Sequence, residues 1–173
     1  MKAQEVFNIV ANKYDLMNDV MSVGTHRYWK ECMIDWLEPF VGMKIIDVAG
    51  GTGDISLRFL KRVNGEGEAV VCDPNSSMVE FGKKKNQSNQ NIKWVTAPAE
   101  NLPFKNESFD AYLVSFGVRN FDNIKKSLDE AHRVLKSGGR FICLEFSKVQ
   151  NQELSKLYNV YSKMIPIFGK IIV

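Results

Sequence analysis

The residues with the clearest chemical potential lie between Asp47 and Asp54, where an apolar run ends in a carboxylate and a glycine-rich turn follows. Glycine lets a backbone turn sharply and lets a ligand approach where a Cβ would clash. Such a turn between a strand and a helix is where α/β folds bind nucleotide-like cofactors. No Lys-Ser/Thr pair follows the glycines, and Ser56 stands at the third glycine position of a dinucleotide fingerprint. Asp54 would also repel a pyrophosphate, so the stretch favours a ribose-containing cofactor without phosphate.

A second carboxylate, Asp73, follows the next apolar run, 20 residues after Gly53. An acid at that place can accept hydrogen bonds from both hydroxyls of a ribose. A helix cap or an ordinary surface acid is the alternative interpretation. The backbone N–H of Ala99, after the third run, could contact an adenine edge, and residues 115–120, after the fourth, would form a wall of the pocket.

The elements that must position these residues alternate along the chain. Continuously apolar runs predict strands buried on both faces, and they cover residues 43–48, 68–73, 92–96, 109–115 and 140–146. Helix-like segments lie between them, near residues 54–63, 75–86 and 122–136. Asp54 and Asn75 are predicted N-caps, and Gly138-Gly139 a predicted helix stop. The alternation predicts a doubly wound, mainly parallel, Rossmann-like α/β sheet.

The chain reads as a single domain of residues 1–173 with three regions. Residues 1–40 form an N-terminal helical region next to the substrate, with helices predicted at 4–12 and 26–38. Residues 43–147 form the cofactor-binding core. Residues 148–173 form a C-terminal helical segment, with a helix predicted at 151–163.

Composition limits the partners and the compartment. A net charge of +3 is too small to indicate nucleic-acid binding, and Lys83-Lys84-Lys85 reads as a solvated helix end. The three cysteines lack metal-ligand spacing and indicate a reducing compartment, so no metal is expected. No apolar run approaches the roughly 20 residues that span a bilayer. We expect a cytoplasmic protein that can touch the inner face of a membrane.

Three motifs carry a resemblance to a known family. The run Asp47-Val48-Ala49-Gly50-Gly51-Thr52-Gly53, with Asp73 and Pro98-Ala99 downstream, resembles the cofactor site of class I S-adenosylmethionine-dependent methyltransferases. Residues 14–29 and 133–147 resemble the two signatures of the ubiquinone/menaquinone biosynthesis C-methyltransferases, and residues 115–120 fit as well. The similarity runs from about Val6 to the end of the chain.

The resemblance implies methylation of a ring carbon of a polyprenylated quinol, with S-adenosyl-L-methionine as cofactor. Ubiquinone and menaquinone precursors are not separated by the sequence. The resemblance also implies cofactor contacts at Thr52, Asp73, Pro98, Ala99 and Ser115, while Asp47, Gly51 and Gly53 shape the pocket and touch the methionine ammonium. Asp47 and Asp54 would attract this cationic ligand.

Three residues are the candidates for catalysis. Arg119 and Asn120 follow the fourth strand and face the expected position of the methyl group. Arg119 can stabilise a phenolate or orient a water, but it is too weak an acid to serve as a free base. A surface or loop-pairing role is its alternative. His26 is the best titratable base in the sequence, or it hydrogen-bonds the loop near the start of its helix.

Two departures from the family pattern affect these expectations. Pro98 has neither a side-chain acceptor nor a backbone donor, so adenine would depend on the N–H of Ala99. The chain stops at Val173, whereas the resemblance implies further residues that include the last two strands of the sheet. We therefore expect either a truncated chain or an open sheet edge, which favours a homodimer or a quinone-biosynthesis complex. Apolar residues between Lys163 and Lys170 could meet a membrane surface, or pack against the missing segment.

The sequence leaves rival functions open. A methyltransferase of the same fold could act on another lipid or a small phenol. From a different class, the chain could be a catalytically silent S-adenosylmethionine-binding subunit of a quinone-biosynthesis assembly. An NAD-dependent oxidoreductase is disfavoured by Ser56.

Overall fold

The computed structural model describes residue 22 and residues 24–147. The helices predicted at 4–12 and 151–163 lie outside the described residues, as do the apolar residues between Lys163 and Lys170 and most of the 14–29 signature. The predictions for these segments stay predictions.

The described chain forms a five-stranded, all-parallel sheet with the order β3-β2-β1-β4-β5. The strands are β1 Lys44–Val48, β2 Glu68–Asp73, β3 Ile92–Thr96, β4 Phe109–Ser115 and β5 Leu135–Leu144. The predicted doubly wound α/β fold is confirmed. The runs at 68–73, 92–96 and 109–115 were predicted with the bounds that the structure shows.

Within residues 24–147, four α-helices flank the sheet: α1 Thr25–Leu37, α2 Asp54–Arg62, α3 Ser76–Lys85 and α4 Ile124–Val134. A short 3₁₀ turn, Val118–Asn120, follows β4. Asn75 is the N-cap of α3, since its side chain accepts a hydrogen bond from the N–H of Met78. The predicted cap at Asp54 is wrong by one residue: Gly53 is the N-cap of α2, and Asp54 is the first helical residue.

The prediction that Gly138-Gly139 ends a helix is wrong. Helix α4 ends at Val134, and both glycines lie inside β5. The pairing of β4 with β5 is irregular between Phe109 and Ala111, where the partner changes from Leu135 to Arg140. Gly138 has φ +77°, a conformation that glycine adopts without a steric penalty. These glycines therefore accommodate an irregularity in the strand rather than a helix end.

Apolar side chains cover both faces of the sheet, which explains the continuous apolar runs. One buried cluster joins the sheet to α1 and α2 and includes Ile34, Phe59 and Val71. The other joins it to α4 and includes Tyr112 and Val134. In the part of the chain that the structure describes, no helix is long and apolar enough to cross a membrane.

The strand order places β1 at the centre, with β2 on one side and β4 on the other. The chain first adds strands in one direction and then crosses to the opposite side of β1. Loops after β1 and β4 therefore diverge, and a crevice opens at the carboxyl ends of these strands. The glycine-rich turn follows β1 at this point.

Candidate cofactor and active site

The glycine-rich turn after β1 is shaped by residues with positive φ. Gly51 has φ +53° and Gly53 has φ +80°. A Cβ on Gly53 would lie 2.7 Å from Cη2 of Trp94, a residue of β3. A Cβ on Gly50 would lie 2.8 Å from Cγ of Asp47. The turn therefore packs closely on the sheet below it, and this packing requires glycine.

Asp73 ends β2 and is tied to the same turn. Its Oδ2 accepts a hydrogen bond from the N–H of Gly51 at 2.9 Å, and its Oδ1 accepts one from the N–H of Asn75 at 2.9 Å. Burial raises its pKa, while these two backbone donors act in the opposite direction. Each carboxylate oxygen has further lone-pair capacity, so the held carboxylate can still accept from a ribose hydroxyl.

Asp47 lies beneath the turn, with 1% of its surface exposed. Its Oδ2 accepts hydrogen bonds from the backbone N–H and the hydroxyl of Ser56. Its Oδ1 is enclosed and has no hydrogen-bond partner among the described residues. Burial raises its pKa to about 7, against the effect of the Ser56 hydrogen bonds. The side chain supports the turn and the start of α2, and its predicted contact with the methionine ammonium stays a prediction.

Asp54 is paired within the protein. Its Oδ2 lies 2.8 Å from Nζ of Lys30 on α1, and its Oδ1 lies 3.1 Å from Nε of Arg58. Burial would raise its pKa, but these two cations outweigh burial and lower it. Because two cations already neutralise this carboxylate, its expected attraction for a cationic ligand is weak.

A cleft of about 440 Å³ lies at the carboxyl ends of the strands, as the predicted crevice requires. It brings together three of the predicted site residues, Pro98, Ala99 and Asn120. The rest of its lining comes from the end of β1 and from the segments that follow β1, β2, β3 and β4, namely Val48, Ala49, Pro74, Glu100, Gly117, Phe121 and Asp122. Asp73 directly precedes Pro74, so the held carboxylate lies next to this lining.

Some lining residues, such as Glu100, were not predicted as site residues. Burial would raise the pKa of Glu100, but hydrogen bonds, among them one from the N–H of Asn123, outweigh burial and lower it. Gly117 belongs to the predicted wall of residues 115–120, and a Cβ on it would lie 2.6 Å from the Cβ of Ala49. The glycine itself, two residues after the end of β4, was the sequence signal for that close approach.

Arg119 does not line this cleft, although its neighbour Asn120 does. Nη1 of Arg119 lies 2.6 Å from Oε1 of Glu145, which follows β5. The guanidinium carbon lies 5.3 Å from the ring centroid of Phe146. The arginine thus joins the loop after β4 to the chain after β5, and the sequence did not indicate this pairing.

The remaining predicted residues are distributed around the turn. His26 is buried in the first turn of α1, and its backbone N–H donates to the hydroxyl of Ser22. Thr52 is buried, and its carbonyl accepts from the side-chain amide of Asn86 at 3.2 Å. The hydroxyl of Ser115, at the end of β4, is enclosed and finds no hydrogen-bond partner in residues 24–147. A buried hydroxyl without a partner indicates a missing polar group at this strand end.

Comparison with known proteins decides the family. The model of the ubiE/COQ5 methyltransferase family matches residues 1–173. The chain belongs to this family. The resemblance carried by residues 14–29 and 133–147 is therefore confirmed.

Individual relatives agree with this assignment. The chain is 53% identical over 175 residues to the "Ubiquinone/menaquinone biosynthesis C-methyltransferase UbiE" of Ruegeria sp. (strain TM1040), covering 99% of this chain and 70% of that protein. It is 42% identical over 208 residues to the mitochondrial "2-methoxy-6-polyprenyl-1,4-benzoquinol methylase" of Bos taurus, covering 99% of this chain and 63% of that protein. Both relatives are methyltransferases by name.

Solved structures share the fold. The YcgJ protein from Bacillus subtilis superimposes with a TM-score of 0.66 at 25% identity, covering 80% of this chain and 58% of that one. The chain spans less than two thirds of the length of YcgJ and of the bovine methylase.

Membership of this family makes the chain a methyltransferase that uses S-adenosyl-L-methionine. The residues present fit that cofactor. Asp73 offers acceptors for a ribose, and the cleft is lined by Pro98 and Ala99. A neutral ribose and a cationic sulfonium suit a site without a phosphate-binding lysine.

Proposed function

We propose that the protein transfers the methyl group of S-adenosyl-L-methionine to a ring carbon of a polyprenylated benzoquinol or a demethylmenaquinol, in ubiquinone or menaquinone biosynthesis. The observation that carries this proposal is the family match over residues 1–173, whose relatives are named for these reactions. The cleft beside the held Asp73 carboxylate supports it.

The bound cofactor supplies an activated methyl group on a sulfonium. The protein contributes chiefly by orienting the cofactor and the acceptor and by excluding water, since alignment of two reactants can account for a large part of the activation barrier. Asp73 would hold the ribose, and the N–H of Ala99 would contact the adenine. The proline at position 98 offers only apolar contact there.

Roles in the methyl transfer are proposed for Asn120, Arg119 and His26. Asn120 lines the cleft and can donate to or accept from a substrate oxygen. Arg119 precedes it and acts at one remove, because its guanidinium pairs with Glu145 outside the cleft lining. His26, buried on α1, is the proposed base.

Asp73→Asn tests the cofactor site. Both carboxylate oxygens accept a backbone N–H, so an asparagine must turn its NH₂ toward one of these donors. We expect the Kd for S-adenosylmethionine, measured by calorimetry, to rise by about 10- to 100-fold, the effect of losing a hydrogen bond to a charged group. Asp110→Asn is the control, because Asp110 lies near the amino end of β4, away from the cleft at the carboxyl ends of the strands. Equal Kd values for wild type and Asp73→Asn would contradict the assignment of Asp73 to the cofactor site.

The substrate is tested with methyl-labelled S-adenosylmethionine and two acceptors, a short-chain demethylated benzoquinol and a demethylmenaquinol. We expect the 173-residue chain to place the label on a ring carbon of at least one of them, as shown by mass spectrometry and NMR of the product. Label on oxygen, or transfer only to unrelated phenols, would contradict a quinol C-methyltransferase. Cofactor binding without transfer to any acceptor would indicate a silent binding subunit.

The proposed contact with a membrane surface rests on the sequence between Lys163 and Lys170. Co-sedimentation with vesicles containing anionic lipids, compared with neutral vesicles, tests it. A homodimer or a quinone-biosynthesis complex is likewise proposed, and sedimentation of the purified chain tests the dimer.

A further inference from the structure

Glu145 carries a buried acceptor that the described contacts leave unused. Its Oε1 accepts two hydrogen bonds, from Nη1 of Arg119 at 2.6 Å and from the N–H of Phe146 at 3.0 Å. Its Oε2 is enclosed and has no hydrogen-bond partner within the described part of the chain. An enclosed carboxylate oxygen without a donor is costly and calls for a partner.

The surroundings of Glu145 are aromatic. The rings of Phe116 and Phe146 stack with centroids 4.6 Å apart, and Trp29 of α1 meets both rings at 6.4 and 6.0 Å. Apolar ring faces of this kind suit another flat ring. Phe146 is 47% exposed, so its ring can turn without disturbing a packed core.

This aromatic cluster, Trp29, Phe116 and Phe146, adjoins the cofactor cleft along the chain. Phe116 directly precedes Gly117, and Arg119 directly precedes Asn120; both Gly117 and Asn120 line the cleft. The cluster and Glu145 therefore lie beside the loop after β4 that lines the cleft.

We propose that Oε2 of Glu145 accepts a hydrogen bond from a ring hydroxyl of the acceptor, whose ring packs against Trp29 and Phe116 after Phe146 turns aside. This inference rests on the proposed function and names the group that recognises the substrate hydroxyl. Arg119 is then a positioning residue, because its guanidinium occupies Oε1 and leaves Oε2 for the substrate.

Glu145→Gln is a sharp test because Oε1 already has two donors. The glutamine must place its carbonyl oxygen there, which puts an NH₂ donor where Oε2 was, and that group cannot accept from a hydroxyl. The ligands are a short-chain demethylated quinol and its O-methyl ether, which has the same ring and no hydroxyl donor. Their Kd values are measured by calorimetry on the full chain, with S-adenosylhomocysteine present, alongside the Kd of S-adenosylmethionine.

We expect the wild type to prefer the quinol to its ether by about 10- to 100-fold, the range for a hydrogen bond to a charged group. Glu145→Gln should abolish this preference and leave the Kd of S-adenosylmethionine within about threefold of the wild-type value. If Glu145 had a purely structural role, Glu145→Gln would weaken the binding of the quinol and of S-adenosylmethionine alike. A wild type without the preference, or a Glu145→Gln variant that retains it, would overturn the inference.

Asp110→Asn is the matched control. Asp110 pairs with Lys136 at 2.7 Å and its side chain is 21% exposed, against 2.6 Å and 22% for Glu145 with Arg119. The control should keep the full preference for the quinol. If the wild type still transfers the methyl group to a quinol while Glu145→Gln keeps the preference, the proposed function survives and only the role of Glu145 fails.

Arg119 is tested through Glu145 with a double-mutant cycle on the Kd of the quinol itself. If Arg119 acts only by holding Oε1, Arg119→Ala and Glu145→Gln together should weaken quinol binding no more than Glu145→Gln alone. Additive losses would show that Arg119 contacts the substrate itself, which would overturn its positioning role.

Discussion

Gly53 shows at the scale of one residue how the cofactor turn is joined to the sheet. Its φ of +80° is a left-handed conformation, and a Cβ would lie 2.7 Å from the indole of Trp94. Gly65 has nearly the same φ, +81°, but no atom lies within 4 Å of its hypothetical Cβ. A comparison of the two positions therefore separates the effect of backbone strain from the effect of close packing.

Gly53→Ala and Gly65→Ala should have different costs. Both pay the left-handed penalty of roughly 1–2 kcal/mol, but only Gly53→Ala must also displace Trp94, for a further cost of about 1–3 kcal/mol. Urea unfolding of the two variants measures the difference. Similar losses of stability would show that Trp94 moves freely and that the turn does not depend on this contact.

For single residues, the sequence was informative where the position of a residue relative to a strand or turn indicates its role. The position of Asp73 at the end of a strand predicted a ribose-binding carboxylate, which stays a prediction; its hydrogen bond from the N–H of Gly51 was not predicted. The enclosure of Asp47 and the pairing of Arg119 with Glu145 were not predictable, because they depend on which side chains meet across separate strands.

The contact between α1 and α2 is the element that ties the N-terminal helix to the cofactor turn. Lys30 is almost fully buried and pairs with Asp54, the first residue of α2. Arg58 of α2 pairs with both Asp54 and Glu31. An acid at the start of α2 also complements the helix dipole. The pairs therefore orient α1 against the start of α2.

Lys30→Met should weaken this contact. We expect a loss of about 1–2 kcal/mol in the free energy of unfolding, below the cost of breaking a fully buried pair because Asp54 is 32% exposed and keeps Arg58. Chemical denaturation measures it.

Lys125→Met is the matched control, since Lys125 is 90% exposed and lies 3.7 Å from Asp129. Removing such a surface pair should change stability by less than about 0.5 kcal/mol. A Lys30→Met variant as stable as this control would contradict a role of the buried pair in holding α1.

Element prediction succeeded where a buried strand runs between clear turns, as for the run at 68–73. It failed at the start of β5, where Leu135, Lys136 and the following glycines have the pattern of a helix end. Pairing with β4 converts this stretch into a strand, and that partner is 26 residues away in the sequence at its first pair. A local sequence pattern does not indicate such a tertiary contact.

For the whole molecule, a sheet covered on both faces leaves Asp47 in an apolar interior. Burial is the largest cause of its raised pKa, from an ordinary value of 3.8 to about 7. Between these two values the folded protein binds a proton that the unfolded chain has released. Stability must therefore fall as the pH rises through this range. A shift of this size corresponds to about 4 kcal/mol as an upper limit.

Asp47→Asn should remove this part of the pH dependence. The variant keeps an acceptor for Ser56 and has no titrating carboxyl, so its stability relative to wild type should improve steadily from pH 4 to pH 8, by up to about 4 kcal/mol. Urea unfolding without added cofactor at several pH values measures the difference.

Asp54→Asn is a control of opposite sign. Because Lys30 and Arg58 lower the pKa of Asp54, that variant should lose stability relative to wild type as the pH rises through the acidic range. Parallel curves for wild type and Asp47→Asn would show that Asp47 stays ionised beneath the turn, with a counter-charge that the described contacts do not contain.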